Sequence, residues 1–295
     1  MEQLLLVILS PLRNAASIHM PQETIISSSR SHLEYWKELW RYRELMLLFT
    51  WRDVLVRYKQ TVVGVLWALI RPVLTVTIFV LVFGRFAKLD SGGVPYVLVV
   101  LAGMLPWYFF ASAITESSMS LINNSALLSK SYFPRLLLPV GAILATLVDF
   151  AISLCLLFVM LLWHHFPLSP RLLWLPLLTL AAMLAAVGPG LLVTALNVRY
   201  RDFRYVVPFL VQIGLYISPV GFTSSLVAER LGSCGFAFYC LNPMVGVIEG
   251  FRWCIGVQDD VSLLAISISG CVSALLLVVG LKHFRSTEAS FADFI

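Results

Sequence analysis

Between Val62 and Gly84 the chain holds an apolar run with Arg71 as its one charged residue, and the charged, aromatic residues just before it follow on without a turn signal. About 20 apolar residues cross the roughly 30 Å of bilayer hydrocarbon. A helix that meets water is therefore followed at once by a helix that meets lipid. From Leu33 to Phe49, Tyr35, Leu39, Tyr42, Met46 and Phe49 recur at helical spacing opposite a polar stripe of Glu34, Lys37, Glu38, Arg41 and Glu44. That pattern predicts a helix lying at a membrane surface. Arg52, Arg57 and Lys59 stand at the mouth of the first crossing, which places the start of the chain in the cytoplasm.

The rest of the composition extends this reading. With 59% hydrophobic and 13% charged residues among 295, and a mean hydropathy of +0.88, the chain carries more apolar surface than one soluble core needs. The expected class is an all-α, polytopic membrane protein. The formal net charge of +5 is accounted for by topogenic Lys and Arg, and no basic run lies on an otherwise polar domain, which excludes nucleic acid as a partner. The five cysteines form no CxxC pair and have no His at ligand spacing, so no metal site is expected. Cys234, Cys240 and Cys254 fall in an outer segment, where one disulfide or free thiols are both open.

Six crossings are expected, at about 62–84, 94–120, 136–163, 172–196, 206–222 and 262–281, with both termini inside. From Ser31 onward about thirteen Lys and Arg fall in the inner segments and five in the outer ones. Residues 1–30 hold a short apolar run, LLLVIL, and read as a tail; 31–61 form the amphipathic segment, 62–281 the transmembrane domain and 282–295 an inner tail.

Several positions depart from simple lipid-facing helix. Arg71 either snorkels to the inner interface, with Pro72 kinking the helix, or faces a polar passage in the bundle. The second span carries a hydroxylated face that includes Ser112, Thr115 and Glu116, suited to bonding between helices or to lining a hydrated route. Asp149, mid-span in the third crossing, is expected to compensate Arg71 at comparable depth. The inner stretch LINNSALLSKSYFPR, 121–135, mixes Asn124, Lys130 and Arg135 with Leu127, Leu128, Tyr132 and Phe133, apolar residues that need a cover and so suggest a protein contact. Gly188-Pro189-Gly190 interrupts the fourth span. The inner loop NVRYRDFRY sets Arg199, Arg201 and Arg204 around Asp202, as a positive-inside anchor with a local ion pair. Residues 223–261 hold two half-length apolar pieces, broken at Asn242-Pro243, that suit re-entrant or interfacial helices at the outer face.

No GxxxxGK[ST] loop, HExxH helix or Gly-Xaa-Ser-Xaa-Gly elbow is present, so the sequence offers no machinery for hydrolysing a nucleotide, peptide or ester. A six-helix bundle rarely encloses a wide route alone, and a passage at the seam of a symmetric dimer is the economical arrangement.

With these stretches placed, residues 31–295 resemble the membrane subunit of type-2 ABC exporters, in the branch that exports O-antigen, capsular polysaccharide or teichoic acid. The resemblance rests on WRDVLVRYKQTVVGVLWALIRP, NNSALLSKSYFPRLLLP, ALNVRYRDFRYVVPFLVQIGLYISPVGF and the terminal FRSTEASFADFI. It implies a homodimeric permease of the bacterial inner membrane, docked to two copies of an ATPase subunit that binds ATP and Mg, with no cofactor on this chain and a lipid-linked glycan as substrate. It implies that 33–49 is an interface helix, that 121–135 is the ATPase-coupling segment, and that outer gate elements occupy about 226–255, including Asn242, Pro243 and Glu249. By position, Trp67, Trp107 and Tyr108 are candidate passage rings beside Arg71, Ser112 and Thr115. Relatives often carry an uncharged polar residue where Arg71 stands, and an Arg lining the passage would favour an anionic glycan or a carrier pyrophosphate. A drug or small-lipid exporter is the alternative within the class. Outside it stand a membrane-embedded glycosyl- or acyltransferase, for which the chain offers only His164 and His165, and a structural scaffold.

Overall fold

The computed structural model describes residues 32–59, 65–86, 93–128, 130 and 132–291. They fall into two compact units, one ending at Trp40 and the other starting at Arg41. Among the described residues every regular element is a helix.

In the first unit, α1 (His32–Arg41) opens with Glu34 in its first turn and closes with Arg41 in its last, each favourable to the helix dipole. The Tyr35 and Trp36 rings meet edge to face at 6.2 Å. The single amphipathic helix expected over 33–49 is broken at Tyr42, and α2 begins at Arg43.

The second unit starts with α2 (Arg43–Lys59) and α3 (Val65–Phe79), which loosens into a π-helical turn over Val80–Phe86. Then follow α4 (Tyr96–Asn123), the one-turn α5 (Ser125–Leu128), α6 (Leu137–Trp163), α7 (Leu175–Arg199) with a 3-10 lead-in at Pro170–Trp174, and α8 (Phe203–Ile217). The chain ends with α9 (Ser224–Tyr239), α10 (Pro243–Ile255) and α11 (Leu263–Thr287). Four of these, α4, α6, α7 and α11, are long and apolar enough to cross a bilayer. The bent pair α9–α10 turns through 115°. The first and fifth expected crossings appear as shorter apolar helices, Pro72–Phe86 and Phe203–Ile217. The 15 residues of α8 rise about 22 Å, short of the roughly 30 Å hydrocarbon layer.

α4 is the hub. Of its apolar stretch 78% is buried, against 33% for α6 and 22% for α11, so the others present lipid-facing sides while α4 is enclosed by protein. It packs on α6, α7 and α10. The crossing of α7 and α11 is set by glycines: a Cβ on Gly280 would lie 2.2 Å from the Gly188 carbonyl oxygen. Only two bare backbones pass at this distance. The interruption expected at Gly188-Pro189-Gly190 is absent. α7 runs through it, and the glycines serve close approach instead of a break.

The α9–α10 hairpin bends where the sequence places the break. Asn242 caps α10 by accepting from the Met244 amide at 3.0 Å, Pro243 fills the first turn, and Gly256, at φ +87°, closes the helix in the left-handed conformation. α10 sinks against α4, α7 and α11, and nearly every side chain in it is buried. All five cysteines are free, so no disulfide joins Cys234, Cys240 or Cys254.

Candidate functional site

Two ends of the bundle carry polar machinery. At the end that the charge pattern assigns to the cytoplasm, α2 lies along the first turns of α6: Phe49 stacks on Phe133 at 5.4 Å, Thr50 reaches the Gly141 carbonyl at 3.3 Å, and Arg57 and Tyr58 both bond to Asp149. Arg57 also meets Glu116 of α4 at 3.0 Å. One guanidinium thus ties α2 to two membrane helices, and the Tyr58 hydroxyl donates to the remaining Asp149 oxygen. Burial, then the bond to Asp149, holds the phenol above the usual tyrosine range, so Tyr58 stays a donor.

Among the described residues the cation at Asp149 is Arg57, from the helix ahead of the first crossing, a partner that the expected pairing with Arg71 did not include. Asp149, with a side chain 29% exposed, is ion-paired and hydrogen-bonded, and so does not stand as a lone carboxylate in the apolar run. The Arg71 and Trp67 side chains lie outside the described residues.

The 121–135 segment is covered partly from within. Asn124 closes α4 with its amide on the Ser120 carbonyl at 2.7 Å. Leu127 and Leu128 are half-buried, while Lys130 and Tyr132 are exposed. Phe133, expected to await a partner, is buried under the chain's own Phe49. The Arg135 amide donates to Glu288 Oε1 at 2.9 Å and its guanidinium to the Glu288 carbonyl. The nearby tail is anchored by Phe291 against Phe284, at 5.3 Å. Amphipathic helix, inner segment and tail form one knitted corner.

The loop 199–205 stands beside it. Arg199 stacks on Tyr200 at 5.4 Å; Arg201, Asp202 and Arg204 are exposed, and the expected Arg–Asp ion pair is not made among the described residues. A cleft of about 440 Å³ opens between Ser125 of α5 and Asn197, Arg201, Arg204 and Tyr205.

The passage candidates separate into packed and accessible groups. Trp107 is 4% exposed, wedged against Gly214 of α8, where a Cβ would meet the ring at 2.6 Å; it is a packing residue in this conformation. Tyr108 is half-buried and bonds to Thr75 at 2.6 Å. Ser112 and Thr115 are half-buried, and Thr115 turns back onto the Ala111 carbonyl. The buried part of the hydroxylated face joins helices: Ser117 pairs with Thr194 at 3.0 Å, and Asn197 donates to the Ser118 carbonyl at 2.8 Å.

At the other end, the loop 218–222 after α8 is held from three sides. Asn242 donates to Ser218 Oγ at 2.8 Å, Tyr96 donates to the Gly221 carbonyl, and Arg252, fully buried, donates to the carbonyls of Val220 at 3.0 Å and Phe222 at 2.9 Å. Glu249, also buried, lies one turn before Arg252. Arg252 was not singled out from the sequence. The available signal was the one cation of a half-helix whose only other charge is Glu249, a group that has to find acceptors inside the protein. Arg57 and Glu116 carry no pairing signal in the sequence either: one stands among the basic residues before the first crossing and the other on the hydroxylated face of the second. No group of three or more His, Cys, Asp or Glu able to hold a metal occurs among the described residues.

Membrane-length helices around an enclosed hub, a charged corner at one end and a capped hairpin at the other define a multi-pass membrane protein. The chain belongs to the ABC-2 type transporter family, whose profile matches residues 44–255. It is 25% identical over 255 residues to an O-antigen export system permease protein, RfbA, of Klebsiella pneumoniae, covering 85% of this chain and 95% of that one. To RfbA of Myxococcus xanthus it is 26% identical over 263 residues, covering 88% and 98%. To the polysialic acid transport protein KpsM of Escherichia coli it is 22% identical over 241 residues, covering 80% and 91%.

Proposed function

We propose that this chain is the permease subunit of an ATP-driven exporter that moves a lipid-linked polysaccharide, of the O-antigen or capsule type, outward across the bacterial inner membrane. The observation that carries this is the similarity, over nearly the full length of each, to proteins named for O-antigen export and polysialic acid transport. The energy comes from a separate ATPase subunit, bound in two copies with its ATP and Mg to a homodimer of this chain, whose termini face the cytoplasm. The knitted corner of α2, 121–135 and the tail supports this, because a push delivered at exposed Tyr132 and Lys130 reaches α4 and α6 through Arg57, Phe133 and Glu288. The second copy is supported by α8, which is short and leaves Phe209, Leu210 and Tyr216 uncovered. Asn242, Pro243 and Glu249 belong to the outer gate.

The test is co-expression with an ATPase of the same transport class and reconstitution into proteoliposomes. Stimulation of ATP hydrolysis by a lipid-linked polysaccharide, with appearance of the glycan on the far side, is expected. Stimulation by apolar drugs or short lipids alone would favour the small-molecule alternative, and lipid modification without ATPase would favour a transferase.

A further inference from the structure

An apolar groove of about 280 Å³ runs between α3, α4 and α6. Val76 and Leu101, both buried, form its floor, and Val80, Val97, Leu156 and Met160 form its walls. The one hydroxyl at its edge, on Thr77, donates to the Val73 carbonyl of its own helix at 2.7 Å, so no polar side chain is left to face the space. α3 passes into its π-helical turn at Val80, and the wider backbone with its short valines does not fill the gap to Leu156 and Met160. Along α6 the groove begins seven residues beyond Asp149, about 10 Å of helix, and it stops short of Trp163, the last residue of α6. Its mouth, between α3 and α6, is continuous with uncovered apolar side chains on both sides, Leu81 and Val82 on one and Val159 on the other. That is the lipid-facing side of α6. α8, whose uncovered face supports a second copy, packs instead on α4 and α7.

Water does not settle in a space without polar partners, and an empty groove forfeits dispersion contacts along its whole lining. Hydrocarbon is the filler that remains. With no polar side chain to read a headgroup or a sugar, the groove has no means of selecting a scarce lipid, so the most abundant chain of the bilayer takes it. Its volume lies below that of sites that enclose a whole small molecule, roughly 300–1,000 Å³, and suits a stretch of one chain. We propose that this groove holds one acyl chain of a bilayer phospholipid, which packs between α3 and α6 and completes the contact that their own side chains leave open. The site does not depend on the transported molecule and stands apart from the export reading.

The full chain is reconstituted in phosphatidylcholine vesicles carrying a trace of the same lipid with a mid-chain diazirine, and adducts are mapped after illumination. In parallel, protein extracted in mild detergent and washed is weighed by native mass spectrometry to count retained phospholipid. Adducts are expected to concentrate on Val97, Leu101, Leu156 and Met160 over the exposed Val159 and Leu162, and one phospholipid per chain is expected to survive washing. Leu156→Trp fills the space and is expected to lower retention and groove adducts roughly tenfold, as the loss of two buried methylenes would, with Val159 and Leu162 labelled as before. Val80→Phe, from the opposite wall, is expected to do the same, and the wild-type adduct pattern decides the matter if neither variant folds. Adducts spread evenly over the groove and the exposed face of α6, unchanged in both variants, mean annular lipid only and overturn the site. Groove residues that stay unlabelled while Val159 and Leu162 react mean that a second copy or α3 itself covers them, which also overturns it. Displacement of the retained phospholipid by an equimolar polyprenyl phosphate overturns the assignment to a bilayer acyl chain.

Discussion

Arg57 and Asp149, 92 residues apart in sequence, form an ion pair that fastens an amphipathic helix to the third membrane helix, and the same guanidinium reaches Glu116 on the second. Removing different members should therefore have unequal effects. Arg57→Gln leaves two carboxylates without their cation, whereas Asp149→Asn leaves Arg57 its contact with Glu116. Asp149→Asn is expected to cost about 1–3 kcal/mol and Arg57→Gln more, with R57Q/D149N less damaging than the sum of the two. Thermal unfolding in detergent, arranged as a double-mutant cycle, measures this.

Tyr58 makes the same joint sensitive to alkali. Its phenol is held above the ordinary value of 10.0 by burial and by Asp149. Below that pH both folded and unfolded chains keep the proton and the contribution is complete. Above it the unfolded chain ionises first and binds fewer protons, so stability falls as pH rises. Tyr58→Phe should flatten part of the loss above about pH 10, read from unfolding midpoints across that range.

The crossing of α7 and α11 admits no side chain. Gly280→Ala drives a methyl into the Gly188 carbonyl and should cost about 1–3 kcal/mol or separate the helices. A lower midpoint, with Gly270→Ala unaffected by packing because nothing lies within 4 Å of it, is the expected pattern.

Arg252 satisfies backbone that has left its helix. Arg252→Met strands the carbonyls of Val220 and Phe222 and should loosen 218–222 by about 2 kcal/mol or more. Faster hydrogen exchange in that loop, with α6 unchanged, is the measurement.

Tyr132 and Phe133 are adjacent but do different work. Phe133→Ala empties the contact with Phe49 and should destabilise by about 3 kcal/mol. Tyr132 is 55% exposed, so Tyr132→Ala should leave the unfolding midpoint unchanged while reducing stimulation of the partner ATPase. Equal stimulation in the two would remove Tyr132 from the docking surface.

The sequence by itself determined the all-helical membrane class and the break at Asn242-Pro243, because length of apolar run and cap chemistry are local properties. It could not determine which groups meet a half-buried charge. Asp149 is met by Arg57, which a helix lying along α6 brings to it from 92 residues away. Gly188-Pro189-Gly190 looked like a break because proline and glycine weaken an isolated helix; against Gly280 the same residues permit contact between backbones. Phe133 looked like a docking residue until Phe49 covered it. These outcomes depend on which surfaces face each other, and that is fixed only when the helices pack.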